Sequence, residues 1–125
     1  MTEYLIAIHH PDDFEPFSDG PEAVRDIDAL NDEMRAAGIV RFLGGMRPVT
    51  AAKSIRIREG RAIVTDGPYL ETKEHIGGFW VLEVASEAEA VEWGKKAASA
   101  CRAPVEVRPF WTATEAQAAL AAIRG

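Results

Sequence analysis

A chain of 125 residues, 47% hydrophobic and 27% charged, has the size of one domain with one core and an ordinary globular composition. Its 14 basic side chains against 20 acidic ones give a net charge of −6, with no basic run longer than Lys95-Lys96. That balance speaks against nucleic acid as a partner, because such surfaces concentrate Lys and Arg to displace phosphate counterions. One cysteine, Cys101, excludes an internal disulfide framework and fits a reducing compartment.

The N-terminus carries an acid, Glu3, where a leader peptide needs a base, and no stretch approaches the roughly 20 apolar residues that span a bilayer. A mature cytoplasmic protein with no membrane segment is expected. In chain order, Tyr4 to His9 reads as a strand with Tyr4, Ile6 and Ile8 on one face and Leu5, Ala7 and His9 on the other. Two largely apolar faces predict a central strand covered on both sides. His10 to Gly20, with Pro11 and Pro16, reads as a loop. A helix follows, capped by Asp19 or Gly20, with Pro21 in its first turn and Ala23, Ile27, Leu30, Met34 and Ala37 as its buried stripe. Gly38 suits a left-handed stop.

Ile39 to Leu43 is a predicted strand ended by Gly44-Gly45, and Met46 to Lys53 a second loop. Ser54 to Arg58 alternates, Glu59-Gly60 turns, and Ala62 to Thr65 returns, giving a hairpin with one wet face. Asp66-Gly67-Pro68 stops that run. A polar connection carrying Glu71, Lys73, Glu74 and His75 then leads through Gly77-Gly78 into a strand from Phe79 to Val84. Ser86 and Glu89 form a capping box for a helix whose buried stripe is Ala90, Val91, Gly94, Ala97 and Ala98, with Trp93 pointing elsewhere. Val105 to Arg108 is the last core strand. Thr112 and Glu115 cap a terminal helix with Ala116, Ala119, Leu120 and Ile123 along its apolar side.

Two strand–helix–strand halves around an inserted hairpin predict an α+β, ferredoxin-like sandwich. It forms one domain, with a core over about 3–111 and an appended helix over about 113–124. Its helices cover one face of the sheet only. A second copy packed sheet on sheet about a two-fold axis would cover the other; the alternative is that the terminal helix folds back over it.

The run Val64 to Phe79, with Thr65-Asp66-Gly67-Pro68-Tyr69 and Glu71-Thr72-Lys73-Glu74 inside it, resembles the Asp-Gly-Pro-Phe region of the YCII-related, or DGPF-domain, proteins; Tyr69 stands where Phe is usual. Ala37-Gly38, Gly44-Gly45 and Val105 to Pro109 extend the resemblance over roughly Tyr4 to Trp111. It implies a dimeric α+β barrel and, in the wider group, enzymes using a His–Asp pair; a few relatives resemble cofactor-free enzymes acting on aromatic rings. DGPF-type members often accompany extracytoplasmic-function sigma factors. The group's His falls near Ile27 or Asp28 here, in a helix without His, so that dyad does not carry over.

Asp66 is either a turn residue capping its own backbone or a carboxylate at the mouth of the sheet, and the two roles can coexist. His75 is the foremost acid–base candidate, because imidazole titrates near neutrality. Lys73 would hold an anionic substrate group, unless Glu71, Lys73 and Glu74 are a solvated surface run. Of His9 and His10, one should face the cavity and one the helices. Pairing them with Asp12 or Asp13 gives no recognised ligand spacing, so no metal and no cofactor are expected. Arg108 reaches either a substrate carboxylate or a cross-strand acid, and Tyr69, Phe79, Trp80 and Phe42 line either a pocket or the core. Cys101 lacks a His partner and the glycine pairs lack a phosphate-loop pattern. Arg47 becomes relevant if its loop folds over the pocket.

Two functions fit these residues. One is a small cofactor-independent enzyme in which Asp66 and His75, with His9 or His10, supply acid–base chemistry while Tyr69, Lys73 and Arg108 hold the substrate. The other is a non-catalytic homodimer that binds a small ligand or a protein, for instance in sigma-factor-linked regulation.

Overall fold

A computed structural model describes residues 1–15, 18–69 and 73–125. Its elements are β1 (Thr2–Pro11), α1 (Pro21–Ala36), β2 (Val40–Gly45), β3 (Lys53–Arg58), β4 (Arg61–Asp66), β5 (Glu74–Val84), α2 (Glu87–Cys101), β6 (Val105–Pro109) and α3 (Ala113–Arg124). Four strands form an antiparallel sheet in the order β2-β5-β1-β6, while β3 and β4 pair only with each other. With α1 and α2 as the two crossovers, this is the ferredoxin-like α+β layout, and the hairpin is its insertion.

The helices pack on the sheet face that carries Tyr4, Ile6, Trp80, Leu82 and Val84. Ile6, Met34, Leu82 and Val84 are fully buried, and each contributes roughly 1.5–3 kcal/mol by leaving water. Helix α2 approaches closely because its buried side chains are small. A Cβ at Gly94 would stand 2.6 Å from Val107 Cγ2, so only glycine fits there. Trp80 Nε1 donates to Asn31 Oδ1 at 2.8 Å, which pins α1 to β5 without an orphaned indole N–H.

Several expectations need correction. Strand β1 runs on to Pro11, because its ladder to β5 continues through His10↔His75 and Pro11↔Glu74 beyond a bulge at Ile8/His9. His75 therefore lies in β5 and not in a loop, and both glycine pairs are inside strands. Ala37 and Val91 are exposed, since Ala37 lies past the end of α1 and Val91 falls beside the α2 stripe, which runs through Ala90, Gly94 and Ala97 and continues to Ala100 and Cys101. Trp93 is half-buried against the core, with Lys96 Nζ 4.9 Å from its ring centre. At α2, Ser86 Oγ accepts from Glu89 N–H, but the Glu89 carboxylate takes the N–H of Ala85, one residue before the expected partner. Helix α3 has its full capping box, with Thr112 Oγ1 accepting from Glu115 N–H at 3.1 Å. Its apolar side is open, with Ile123 82% exposed, so α3 does not cover the second sheet face.

The hairpin is wet on both faces and not on one: none of its residues is buried. Its turn has positive φ at both Glu59 (50°) and Gly60 (76°), the type I′ form that matches strand twist. No helix among the described residues is long and apolar enough to cross a membrane.

Candidate functional site

A cavity of about 610 Å³ opens between the N-terminal half of α1 and the ends of β1, β2 and β5. Ile8, Leu43 and Trp80 supply its sheet wall, and Ala23, Val24 and Ile27 its helix wall. Met46 to Val49, and Phe14 with Asp19, also line it. Against this apolar lining stand a few polar groups: His10, His75, Asp12, Asp19, Asn31 and Arg47. A largely apolar cleft with few convergent polar groups is the usual form of a small-molecule site.

The two histidines are cross-strand neighbours on β1 and β5. Ile8 and His10 lie two residues apart on β1, so ordinary alternation gives both to the cavity side and His9 to the other. The bulge leaves Gly77 of β5 unpaired and reverses the alternation of that strand, so His75 turns to the same side. Gly77 makes room for the His10 ring: a Cβ there would lie 2.2 Å from His10 Cδ2. The imidazole stacks on Phe14, with centroids 3.9 Å apart and planes 9° from parallel. Burial holds His10 below the ordinary histidine value, and the nearby Asp19 carboxylate offsets this only in part. Cys101 forms part of the floor; burial pushes its thiol up to about 11, Asp19 adds to the rise and Arg102 opposes it.

The residues singled out in the sequence divide among three places. His75 lines the cavity together with His10. His9 and Lys73 line a shallow separate groove with Pro11 and Glu74. Asp66, Tyr69 and Arg108 line neither. Asp66 ends β4 as the cross-strand partner of Lys53 and is ion-paired with it in solvent. Its turn is tied down by Gly67 N–H donating to the Ala52 carbonyl at 2.8 Å and by Ser54 Oγ donating to the Gly67 carbonyl at 2.7 Å. Gly67 has φ of 100°, so the turn chemistry of Asp-Gly-Pro is present. Tyr69 is exposed beneath the Arg56 guanidinium, 5.1 Å from its ring centre, and Arg108 is exposed opposite Leu5. Glu71 and Thr72 lie outside the described residues.

Among the described residues, no group of three or more His, Cys, Asp or Glu is placed to hold a metal ion. Reasoning from sequence passed over Asp19, Asn31 and Phe14, and weighed His9 with His10 without choosing between them. Gly77, placed to admit a ring from the neighbouring strand, was the available sign that β1 continues past His9.

Chemically, the cavity sets two imidazoles at the polar end of an apolar chamber. An imidazole held below its ordinary value is uncharged at neutral pH and can accept a proton, and a carboxylate in the same cavity favours its protonated form once that proton arrives. Arg47 is the one guanidinium among the described lining residues and is suited to an anionic group.

The chain matches the YCII-related domain over residues 2–113. An uncharacterised protein of Rhizobium meliloti (strain 1021) is 35% identical over 89 residues, which is 70% of this chain and 72% of that protein. By the extent of both matches, the chain belongs to the YCII-related domain family.

Proposed function

We propose that this protein is a cofactor-independent acid–base enzyme acting on a small, ring-bearing organic molecule in the cavity between α1 and the sheet. The observation that carries this reading is the cross-strand pair His10 and His75 at the polar end of an otherwise apolar chamber, beside Asp19. His10 is the general base, His75 faces it across the ladder, and Arg47 steadies a negative group at the mouth. Asp66 takes the turn role, with its carboxylate spent on Lys53 at the base of the hairpin.

The test uses Trp80, which lines the chamber. Its fluorescence is titrated with phenols, aryl carboxylates and cyclic ketones, and hits are then followed by NMR in D2O for exchange of carbon-bound hydrogen. A saturable response with exchange that disappears in His10→Ala and persists in Asp66→Asn is expected. No saturable response to any class would refute the reading. Binding without exchange would instead favour a ligand-binding module.

We also propose that the chain is a homodimer through the sheet face that carries no helix. Alternation along the ladders sets Leu5, Ala7, Phe42, Phe79 and Val81 on that face. The Phe42 and Phe79 rings meet 5.3 Å apart, and Phe42 is 51% exposed. An apolar centre of this kind is what a second copy would bury.

A further inference from the structure

We infer that Asn31 selects what the cavity binds: its side-chain amide is locked as a hydrogen-bond donor and takes a carbonyl or other acceptor oxygen at the end of the ligand remote from the histidines. This rests on the acid–base reading for the cavity as the place of the substrate, and adds a functional group that the substrate carries.

The lock comes from Trp80. An indole N–H donates and does not accept, so only the oxygen of a neighbouring amide can face it. Trp80 Nε1 donates to Asn31 Oδ1 at 2.8 Å. Turning the amide over would set N–H against N–H in a part-buried place and leave the indole hydrogen unpaired. The sense of the amide is therefore fixed, and its Nδ2 hydrogens point away from the indole. No described residue accepts from Nδ2, and among the described residues no buried side-chain N or O lacks a partner, so the Nδ2 group is open. Asn31 and Trp80 both line the cavity, which is the open space beside them.

The surroundings decide what such a donor can recognise. Asn31 continues the helix wall of Ala23, Val24 and Ile27, and is the one amide side chain among the described lining residues. It stands ten residues beyond the start of α1 at Pro21, about 15 Å along the axis, whereas His10 feels the Asp19 carboxylate just before that helix. The imidazoles and the amide thus mark opposite ends of the chamber. A fixed donor in an apolar wall favours a ligand that brings an oxygen to it. It disfavours one that brings hydrocarbon or a second N–H, because either leaves the amide unpaired. A ring ketone or an aryl ether, with its oxygen far from the atom that meets His10, satisfies both ends.

Heteronuclear NMR of the nitrogen-labelled full chain tests this, with α-tetralone and its parent hydrocarbon tetralin as the ligands. Both should saturate. Only α-tetralone should move the Asn31 Nδ2 protons downfield, and the Trp80 Nε1 proton should stay bonded with either. Asn31→Leu keeps the volume and should lower the affinity for α-tetralone relative to tetralin about tenfold, the worth of one hydrogen bond, with far-UV circular dichroism as the check on folding. Because leucine also strips Trp80 of its acceptor, Asn31→Asp is the second variant. Its carboxyl keeps the indole bond and, once ionised, has no hydrogen to give. Its affinity for α-tetralone should fall about tenfold as pH rises through the titration of that carboxyl, while its affinity for tetralin stays level. An unchanged α-tetralone-to-tetralin ratio in both variants would overturn the role of Asn31 and leave the acid–base reading standing. If neither compound saturates, the selection by Asn31 falls, and the Trp80 titration decides the acid–base reading separately.

Discussion

The contact of Gly77 with His10 gives the sharpest test of how the cavity is built. Gly77→Ala places a methyl carbon 2.2 Å from His10 Cδ2 and 3.0 Å from Nε2, well inside contact distance. Gly77 is the unpaired residue of the bulge, but its carbonyl accepts from Met46 N–H at 2.8 Å and the ladder to β1 resumes on both sides of it, so the ring is the freer partner and yields. It can do so by turning about χ1 into the open chamber, which breaks its stack on Phe14. Relief by one side chain puts the change at the lower end of the overpacking range, about 1–2 kcal/mol. For 125 residues the unfolding entropy makes each kcal/mol worth about 4 °C, so the melting temperature should fall by about 4–8 °C. The ring also loses burial, the larger influence on its titration, so the His10 pKa should rise toward 6.5. Thermal denaturation and histidine NMR titration measure the two effects. His10→Ala should remove the clash, so the double variant should be more stable than the sum of the single changes. An unchanged melting temperature with an unchanged His10 titration would refute this account of the glycine.

Further outcomes follow from other contacts. Gly94→Val drives a branched side chain toward Val107 Cγ2 and should destabilise by roughly 3 kcal/mol in denaturant titration, with partial rescue by Val107→Ala. Thr112→Ala removes the α3 cap; helical signal should fall while the main melting transition stays put, because α3 buries no residue. The Glu115 pKa should rise, since the Thr112 hydroxyl and backbone N–H hold it low. Asp66→Asn should change stability by less than about 1 kcal/mol, as both members of its ion pair are exposed. Because the native state lowers the His10 pKa, the unfolded chain binds the proton more readily. Stability is therefore full above 6.5 and declines as pH falls through that value toward the native one. His10→Gln should flatten this part of the stability–pH curve.

Much of the architecture was legible because it rests on local signals. Pro21, Gly38, Ser86 and Thr112 mark helix ends by their own backbone chemistry, and the Glu59-Gly60 turn sets the hairpin register. What the sequence concealed depends on contacts between distant segments. Nothing near Gly77 announces a bulge: the extra residue is defined only by the pairing of β5 with β1, and with it went the end of β1 and the face on which His75 lies. His75 read as loop because Glu74, Gly77 and Gly78 carry low strand propensity, which pairing with β1 overrides. The hairpin looked half-covered because its alternation is clean, yet alternation says only that one face is apolar and not that its own chain covers it.

The chemistry of the cavity follows from the same long-range event. Without the bulge, strict alternation along β5 would send His75 to the opposite side from Trp80 and leave His10 as the one imidazole on the cavity side. One inserted residue, Gly77, turns His75 to the side of His10, and its lack of a side chain leaves the space for the His10 ring. Burial then lowers the imidazole's affinity for a proton while Asp19 raises it, and burial prevails. A ligand that displaces water from the chamber would strengthen both influences, because each grows as the local dielectric falls. The sign of the change on binding therefore reports what the ligand carries. An uncharged ring should lower the His10 pKa further, whereas an anionic group lodged beside Arg47 should hold it up. Titration of His10 by NMR with phenol and then with benzoate separates the two, and equal shifts for both ligands would place the anion away from the histidines.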